Sequence, residues 1–274
     1  LTDKSYTSAT TVLMPAMRGQ GRLSRYAAPL AVLAAIATIA ALWGWFRPEQ
    51  PRAVARFGLG FPEGQAPTLQ MALSPDGARL AYVGPAADGQ NQLWVKERSQ
   101  YAATVLAGTS TAATPTFSPD GQWIAFDQAG QLRKIPVGGG AVITVADSTL
   151  FPLAAWLDDR TLVYSRTDFT LVRVSEAGGA TTLVWRTPDS LLQQRAPVFP
   201  TPLPGARGVL FSMCTANCSQ SELWVLDLKS GDAHMLVPNA LQGWYLPTGH
   251  VAYARTDGSV LAAPFDLKRL ELRG

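Results

Sequence analysis

The chain has 274 residues, 47% hydrophobic and 16% charged, with a formal net charge of +3 and a pI near 9.0. So small a charge, carried by arginines that apolar strands separate, excludes a nucleic-acid-binding stripe, and no nucleic-acid partner is expected. The apolar fraction suits one folded domain with its own core, raised further by one strongly apolar run near the N-terminus.

Residues 1–25 are rich in Thr, Ser and Ala, hold no lasting helical or strand period, and read as a juxtamembrane linker. From Tyr26 to Phe46 no charged residue occurs for 21 positions. At about 1.5 Å per helical residue the run spans roughly 31 Å, the thickness of a bilayer's hydrocarbon core. Trp43, Trp45 and Phe46 at one end and Tyr26 at the other suit an aromatic belt, and Arg25 and Arg47 bracket the span. A transmembrane helix over 26–46 is therefore expected, making the membrane the first partner. A cleaved secretory signal is the rival, disfavoured because the apolar run is longer than a signal core and a long polar segment precedes it. Lys4, Arg18, Arg22 and Arg25 lean toward a cytoplasmic N-terminus. Residues 47–52, with Pro48 and Pro51, form a second linker.

Residues 53–274 read as one β-rich domain. Ala53 to Phe61 alternates like a strand, and beyond it a strand-pair pattern recurs. Its clearest copies are Leu73-Ser74-Pro75-Asp76-Gly77-Ala78-Arg79-Leu80-Ala81-Tyr82 and Phe117-Ser118-Pro119-Asp120-Gly121-Gln122-Trp123-Ile124-Ala125-Phe126, 44 residues apart. Weaker copies run from Trp156 to Tyr164, from Pro204 to Phe211 and from Leu246 to Tyr253. Proline presets φ at the turn, Asp bonds nearby backbone and Gly relieves the tight geometry that follows, so Asp76, Gly77, Asp120 and Gly121 are expected to be structural turn residues. The runs after the turns are too short for helices and rich in strand formers. Third strands follow at Gln92–Val95, Gln131–Ile135, Thr170–Val174, Glu222–Leu226 and Ser259–Ala263, and a fourth closes the first four units, as at Ala141–Ala146 and Thr181–Trp185.

A repeat of about 40–45 residues built from short strands implies an all-β propeller of four-stranded antiparallel blades. Four full units and three strands of a fifth predict an incomplete ring. With residues 53–61 as a closing strand, Leu1 as first residue and Gly274 as last, the chain reads as a fragment of a six-bladed or larger whole. Trp94, Trp123, Trp156 and Trp224 are assigned to blade packing at equivalent strand positions.

Cys214 and Cys218 lie in a loop between two strands of the fourth unit. A disulfide suits an extracytoplasmic domain, free thiols suit a cytoplasmic one, and a metal site would need ligands that His234 and His250 do not provide at matching spacing. All three readings stay open. No serine elbow, dinucleotide loop, phosphate-cradling Gly-Lys-Ser/Thr or kinase catalytic motif occurs, so neither a catalytic residue nor a cofactor is expected and the chain is read as non-enzymatic.

The Ser-Pro-Asp-Gly-x-x-hydrophobic-Ala-aromatic element at 74–82 and 118–126 resembles the TolB-type, WD-like propeller repeat over roughly residues 53–270. The order of a Thr/Ser-rich linker, one apolar span, Phe57 to Gln65, Leu73 to Gly77, Tyr245 to Tyr253 and Ala263 to Leu267 resembles the C-terminal half of bacterial one-pass serine/threonine protein kinases. That resemblance implies a single-pass protein of the bacterial cell membrane whose propeller lies outside the cytoplasm and binds a protein or small-molecule ligand at its loops, with altered homodimerisation as the signal that one helix can carry. A prolyl-oligopeptidase-like hydrolase propeller and the sensor of a membrane-bound winged-helix regulator remain the alternatives.

Overall fold

A computed structural model describes residues 29–38, 58–68, 70–192 and 195–273. They belong to two compact units, residues 1–58 and 59–274. Within the first, residues 29–38 form an exposed helix, α1. The rest of the predicted 26–46 span lies outside the described residues, and among these no helix is long and apolar enough to cross a membrane.

The second unit holds five four-stranded antiparallel sheets, each with its strands in chain order. Blade 1 comprises β1 (Met71–Leu73), β2 (Arg79–Pro85), β3 (Asn91–Glu97) and β4 (Thr104–Val105), and blade 2 comprises β5 (Ala113–Phe117), β6 (Trp123–Gln128), β7 (Gln131–Pro136) and β8 (Ile143–Asp147). Blade 3 runs β9 (Thr149–Trp156), β10 (Thr161–Arg166), β11 (Thr170–Ser175) and β12 (Thr182–Arg186). A one-turn helix, α2 (Asp189–Leu192), precedes blade 4, which runs β13 (Ala196–Pro202), β14 (Gly208–Cys214), β15 (Ser221–Asp227) and β16 (Ala233–Pro238). Blade 5 runs β17 (Ala240–Leu246), β18 (His250–Arg255), β19 (Val260–Asp266) and β20 (Glu271–Leu272).

Two expectations change. The fifth blade has a fourth strand, β20, which pairs Leu272 with Phe265 and Glu271 with Asp266. Residues 58–61 are not strand, and the rest of the expected closing strand, 53–57, lies outside the described residues.

The register of the second strands explains how the blades pack. Side chains alternate faces along a strand, so in the hydrophobic-small-aromatic run the outer two residues point to one face and the middle one to the other. Ile124 and Phe126 join the core with blade 1, while Ala125 between them joins the core with blade 3. Leu162 and Tyr164 face blade 2 while Val163 faces blade 4, and Val209 and Phe211 face blade 3 while Leu210 faces blade 5. Every blade thus presents an aliphatic–aromatic pair backward and a smaller or aliphatic residue forward. Ile124, Phe126, Val163, Leu210 and Phe211 are fully buried by this interlock. At about 25 cal/mol per Å² such faces supply the main drive for blade-to-blade assembly.

Hydroxyl groups bolt the seams. Thr149 Oγ1 donates to the Asp127 carboxylate between blades 2 and 3, and Ser165 Oγ to the Pro197 carbonyl between blades 3 and 4. Thr201 Oγ1 donates to the Gly243 carbonyl and Ser212 Oγ to the Leu241 carbonyl, both at 2.6 Å, between blades 4 and 5. Gly243 also has to be glycine-sized, because a Cβ there would lie 2.6 Å from the Leu223 side chain.

The two end blades are finished differently. Blade 1 turns Leu80, Tyr82 and Trp94 away from blade 2, and the segment before β1 covers them. Phe61 meets the Tyr82 ring edge-on at 5.4 Å, the Tyr82 hydroxyl donates to the Gln65 carbonyl at 2.6 Å, and Gln65 Oε1 accepts from the Ala103 amide at 3.2 Å. Lys96, also buried, donates to the carbonyls of Gln100 and Tyr101 and lies over the Phe61 and Tyr101 rings. Burial pushes the Tyr82 phenol up to about 12. Blade 5 has no such cover among the described residues. Trp244, Ala252 and Ala262 share its forward face by register, and Trp244 and Ala262 are exposed, as is Val260 on the same face.

Of the four tryptophans expected at equivalent positions, only Trp94 and Trp224 are equivalent, each on a third strand opposite the aromatic residue of the second, Tyr82 and Phe211. Trp123 opens a second strand and stacks on Lys134, whose Nζ lies 4.6 Å from the ring centroid; Trp156 ends a first strand inside the core between blades 2 and 3.

Candidate functional site

The turn joining first and second strands is built alike in blades 1 and 2. The Gly77 amide donates to the Ser74 carbonyl at 2.8 Å, and the Gly121 amide to the Ser118 carbonyl at 2.8 Å. Asp76 Oδ1 accepts from Ser74 Oγ at 2.5 Å and from the Ala78 amide at 2.9 Å, and Ser74 Oγ in turn accepts from the Arg79 amide at 2.9 Å. Ser118, Asp120, Gln122 and Trp123 repeat the arrangement. The serine hydroxyls hold both aspartates below the usual carboxylate range, with the amides of Ala78 and Gln122 adding to the effect. Gly77 and Gly121 have φ of 68° and 67°, the left-handed region.

Blades 3, 4 and 5 keep the turn but vary its residues. Leu157, Leu203 and Leu246 take the serine register, closed by bonds from the Leu157 amide to the Thr161 carbonyl, from the Leu203 amide to the Gly208 carbonyl and from the Gly249 amide to the Leu246 carbonyl. Arg160, at φ 63°, stands where blades 1 and 2 have glycine. The residue after the serine register is Pro75, Pro119, Asp158, Pro204 and Pro247 in the five blades.

These turns converge. Leu73 and Pro75, Phe117 and Pro119, Trp156 and Asp158, Pro202 to Pro204, and Tyr245 and Pro247 together line one cavity of about 520 Å³. All five blades contribute to it. Its wall is apolar, with Asp158 the only charged residue among those lining it. The inner strands follow one another around the cavity in chain order, β1 beside β5, β5 beside β9, β9 beside β13 and β13 beside β17. A volume of this size lies within the range of small-ligand pockets, and it would equally admit the tip of a peptide.

Asp76, Gly77, Asp120 and Gly121 therefore sit at the rim as turn formers. Asp158 Oδ2 accepts from the Gly205 amide at 2.6 Å, reaching from blade 3 to blade 4. Asp159 bonds Thr161 and pairs with Arg173. The residues that line the cavity were not foreseen, although one signal for them was present: proline recurring at one register in four of the five turns.

Cys214 and Cys218 are bonded to each other, with Cα atoms 4.7 Å apart, inside the range a bridge requires. They lie in the β14–β15 hairpin, at the opposite end of blade 4 from the β13–β14 turn that lines the cavity. His234 Nε2 meets the Leu270 carbonyl at 3.1 Å and His250 Nδ1 the Thr248 carbonyl at 3.0 Å. Among the described residues no group of His, Cys, Asp or Glu could hold a metal ion.

With this geometry the chain can be set beside known structures. TolB from Acinetobacter baumannii superposes with a TM-score of 0.55 at 18% identity, over 71% of this chain and 53% of that one. The fold is that of a β-propeller. TolB from Agrobacterium tumefaciens gives 0.54 at 16% identity over 70% of this chain and 72% of that one, and a structure of a nidogen/laminin complex gives 0.56 at 11% identity over 74% and 77%. The chain spans about half the length of the Acinetobacter protein. No family model and no curated protein matches the sequence.

The rim geometry sets a ranking of substitutions. Gly77→Val or Gly121→Val forces a β-branched residue to positive φ and is expected to cost about 1–3 kcal/mol. Asp76→Asn keeps the acceptor for Ser74 and Ala78 and is expected to cost less than about 0.5 kcal/mol. Thermal unfolding of the variants checks this; the reverse order would mean that the aspartate, not the glycine, holds the turn.

Proposed function

We propose that this propeller is a recognition module that performs no chemistry and binds a peptide or protein segment in the cavity at its axis. The observation that carries the reading is the convergence of five turns on one apolar cavity that no blade could form alone. Binding sites favour such concave apolar places with few polar groups. The aspartates at the rim are occupied with turn amides, hydroxyls and one arginine, which suits a scaffold rather than acid–base work.

The finer reading places the module outside the cytoplasm as the sensing part of a membrane-anchored, receptor-like serine/threonine kinase. The uncharged run at 26–46, the kinase-like order of segments and the Cys214–Cys218 pair support it. In such a receptor, ligand binding at the cavity would alter association between copies, and the single helix would carry that change across the bilayer.

Binding is tested with a degenerate pool of uncharged, N-acetylated apolar hexapeptides. Leu73 is 64% exposed, so Leu73→Asp leaves the core intact. Weaker binding by about tenfold, with an unchanged unfolding midpoint, is the expected result; binding indifferent to this change rejects the cavity as the site. Topology is tested by thiol labelling of intact cells. The receptor reading expects Cys214 and Cys218 to resist labelling until reduced and then to react with a membrane-impermeant maleimide. Free thiols that the reagent cannot reach would reject it.

A further inference from the structure

Resting on the cavity reading above, we infer that the ligand carries a single ammonium group set among apolar residues, and that Asp158 is the residue that selects it. The five turns place proline at one register in blades 1, 2, 4 and 5, and aspartate in blade 3. Proline suits that turn position because its φ is already set. A carboxylate standing there instead brings a charge to a wall that is otherwise hydrocarbon.

Among the described residues Asp158 has no cationic partner. Its one hydrogen bond, from the Gly205 amide to Oδ2, leaves most of the acceptor capacity of a carboxylate unused. The arginines around the mouth are engaged elsewhere: Arg79 with Glu97, Arg160 with Glu176, Arg173 with Asp159 and Arg207 with Asp227. Asp120, on the turn of the adjacent blade 2, and Asp76, on that of blade 1, each have an arginine near them, Arg160 and Arg79 respectively. Lys229, Lys268 and Arg269 belong to turns between third and fourth strands, on the periphery of the blades rather than at the axis.

The physical consequence is selectivity. A wholly apolar ligand entering the cavity would strip water from Asp158 and return nothing for it. An anionic ligand would add repulsion. A ligand with an ammonium at the blade 3 side replaces the lost water by a charge-assisted hydrogen bond, while its apolar flanks cover the proline and leucine wall. Both a lysine side chain and a free peptide N-terminus supply that group.

The full chain is titrated with four degenerate hexapeptide pools, apolar at all other positions. One is N-acetylated with an internal lysine, one has a free N-terminus and no lysine, one is N-acetylated with Nε-acetyl-lysine, and one is N-acetylated with glutamate. At least one ammonium pool is expected to bind about five- to tenfold more tightly than the acetyl-lysine pool, with the glutamate pool weakest. The first two pools tell a lysine from an N-terminus. Asp158→Asn, which keeps an acceptor for Gly205, is expected to erase the preference without lowering the unfolding midpoint, whereas Asp76→Asn leaves it in place. If all pools bind alike and Leu73→Asp still weakens them, the cavity reading stands and the ammonium inference falls. Binding by none of the pools overturns both.

Discussion

A sheet with two apolar faces has to be covered twice, and that constraint governs this protein. Each second strand carries an aliphatic-x-aromatic pair on one face and a smaller or aliphatic side chain on the other, so one blade's forward face accepts the next blade's backward pair. No blade is stable as an isolated object by this logic. The stability of each is borrowed from its neighbours through dispersion and the removal of apolar surface from water. On the backward face of blade 1 the cover comes from nearby segments: Phe61 and Ala103 pack against Tyr82 and Trp94, and Gln65 ties Tyr82 to the Ala103 amide. On the forward face of blade 5, which no described residue covers, Trp244 and Val260 are exposed.

The same repetition creates the site. Because every blade repeats one turn, the residue after the serine register falls at the same height in each, and five such residues meet at the axis. Repetition alone would make the mouth uniform. Function enters where the repeat is broken, and the substitution of aspartate for proline at residue 158 is such a break. The rim residues Asp76 and Asp120, by contrast, follow the repeat and serve their own backbone.

The turns and second strands were legible in the sequence because Pro, Asp and Gly impose local geometry that tertiary structure does not override. The strand β20 was missed because Glu271 and Leu272 are too few to show a period of two. Phe61 looked like strand through its alternation with Gly60 and Leu59, yet its role is to cap an aromatic face, which only the fold reveals. Trp123 and Trp156 were grouped with Trp94 and Trp224 by residue type; register separates them. The lining of the cavity was hidden for another reason. Leu73 and Tyr245 lie at opposite ends of the domain in sequence, and nothing local to either indicates that they meet. Cys214 and Cys218 were legible as a pair, and their geometry agrees with the bridged reading.

Native-state amide hydrogen exchange on the full chain tests the dependence of each blade on its neighbours most directly. The account predicts the slowest exchange in β6, β10 and β14, which are covered on both faces, comparable protection in β2 beneath its cap, and clearly faster exchange in β19 and β20 of blade 5. Protection in β19 equal to that of β10 would contradict it, since a sheet bare on one face would then be as stable as one enclosed on both.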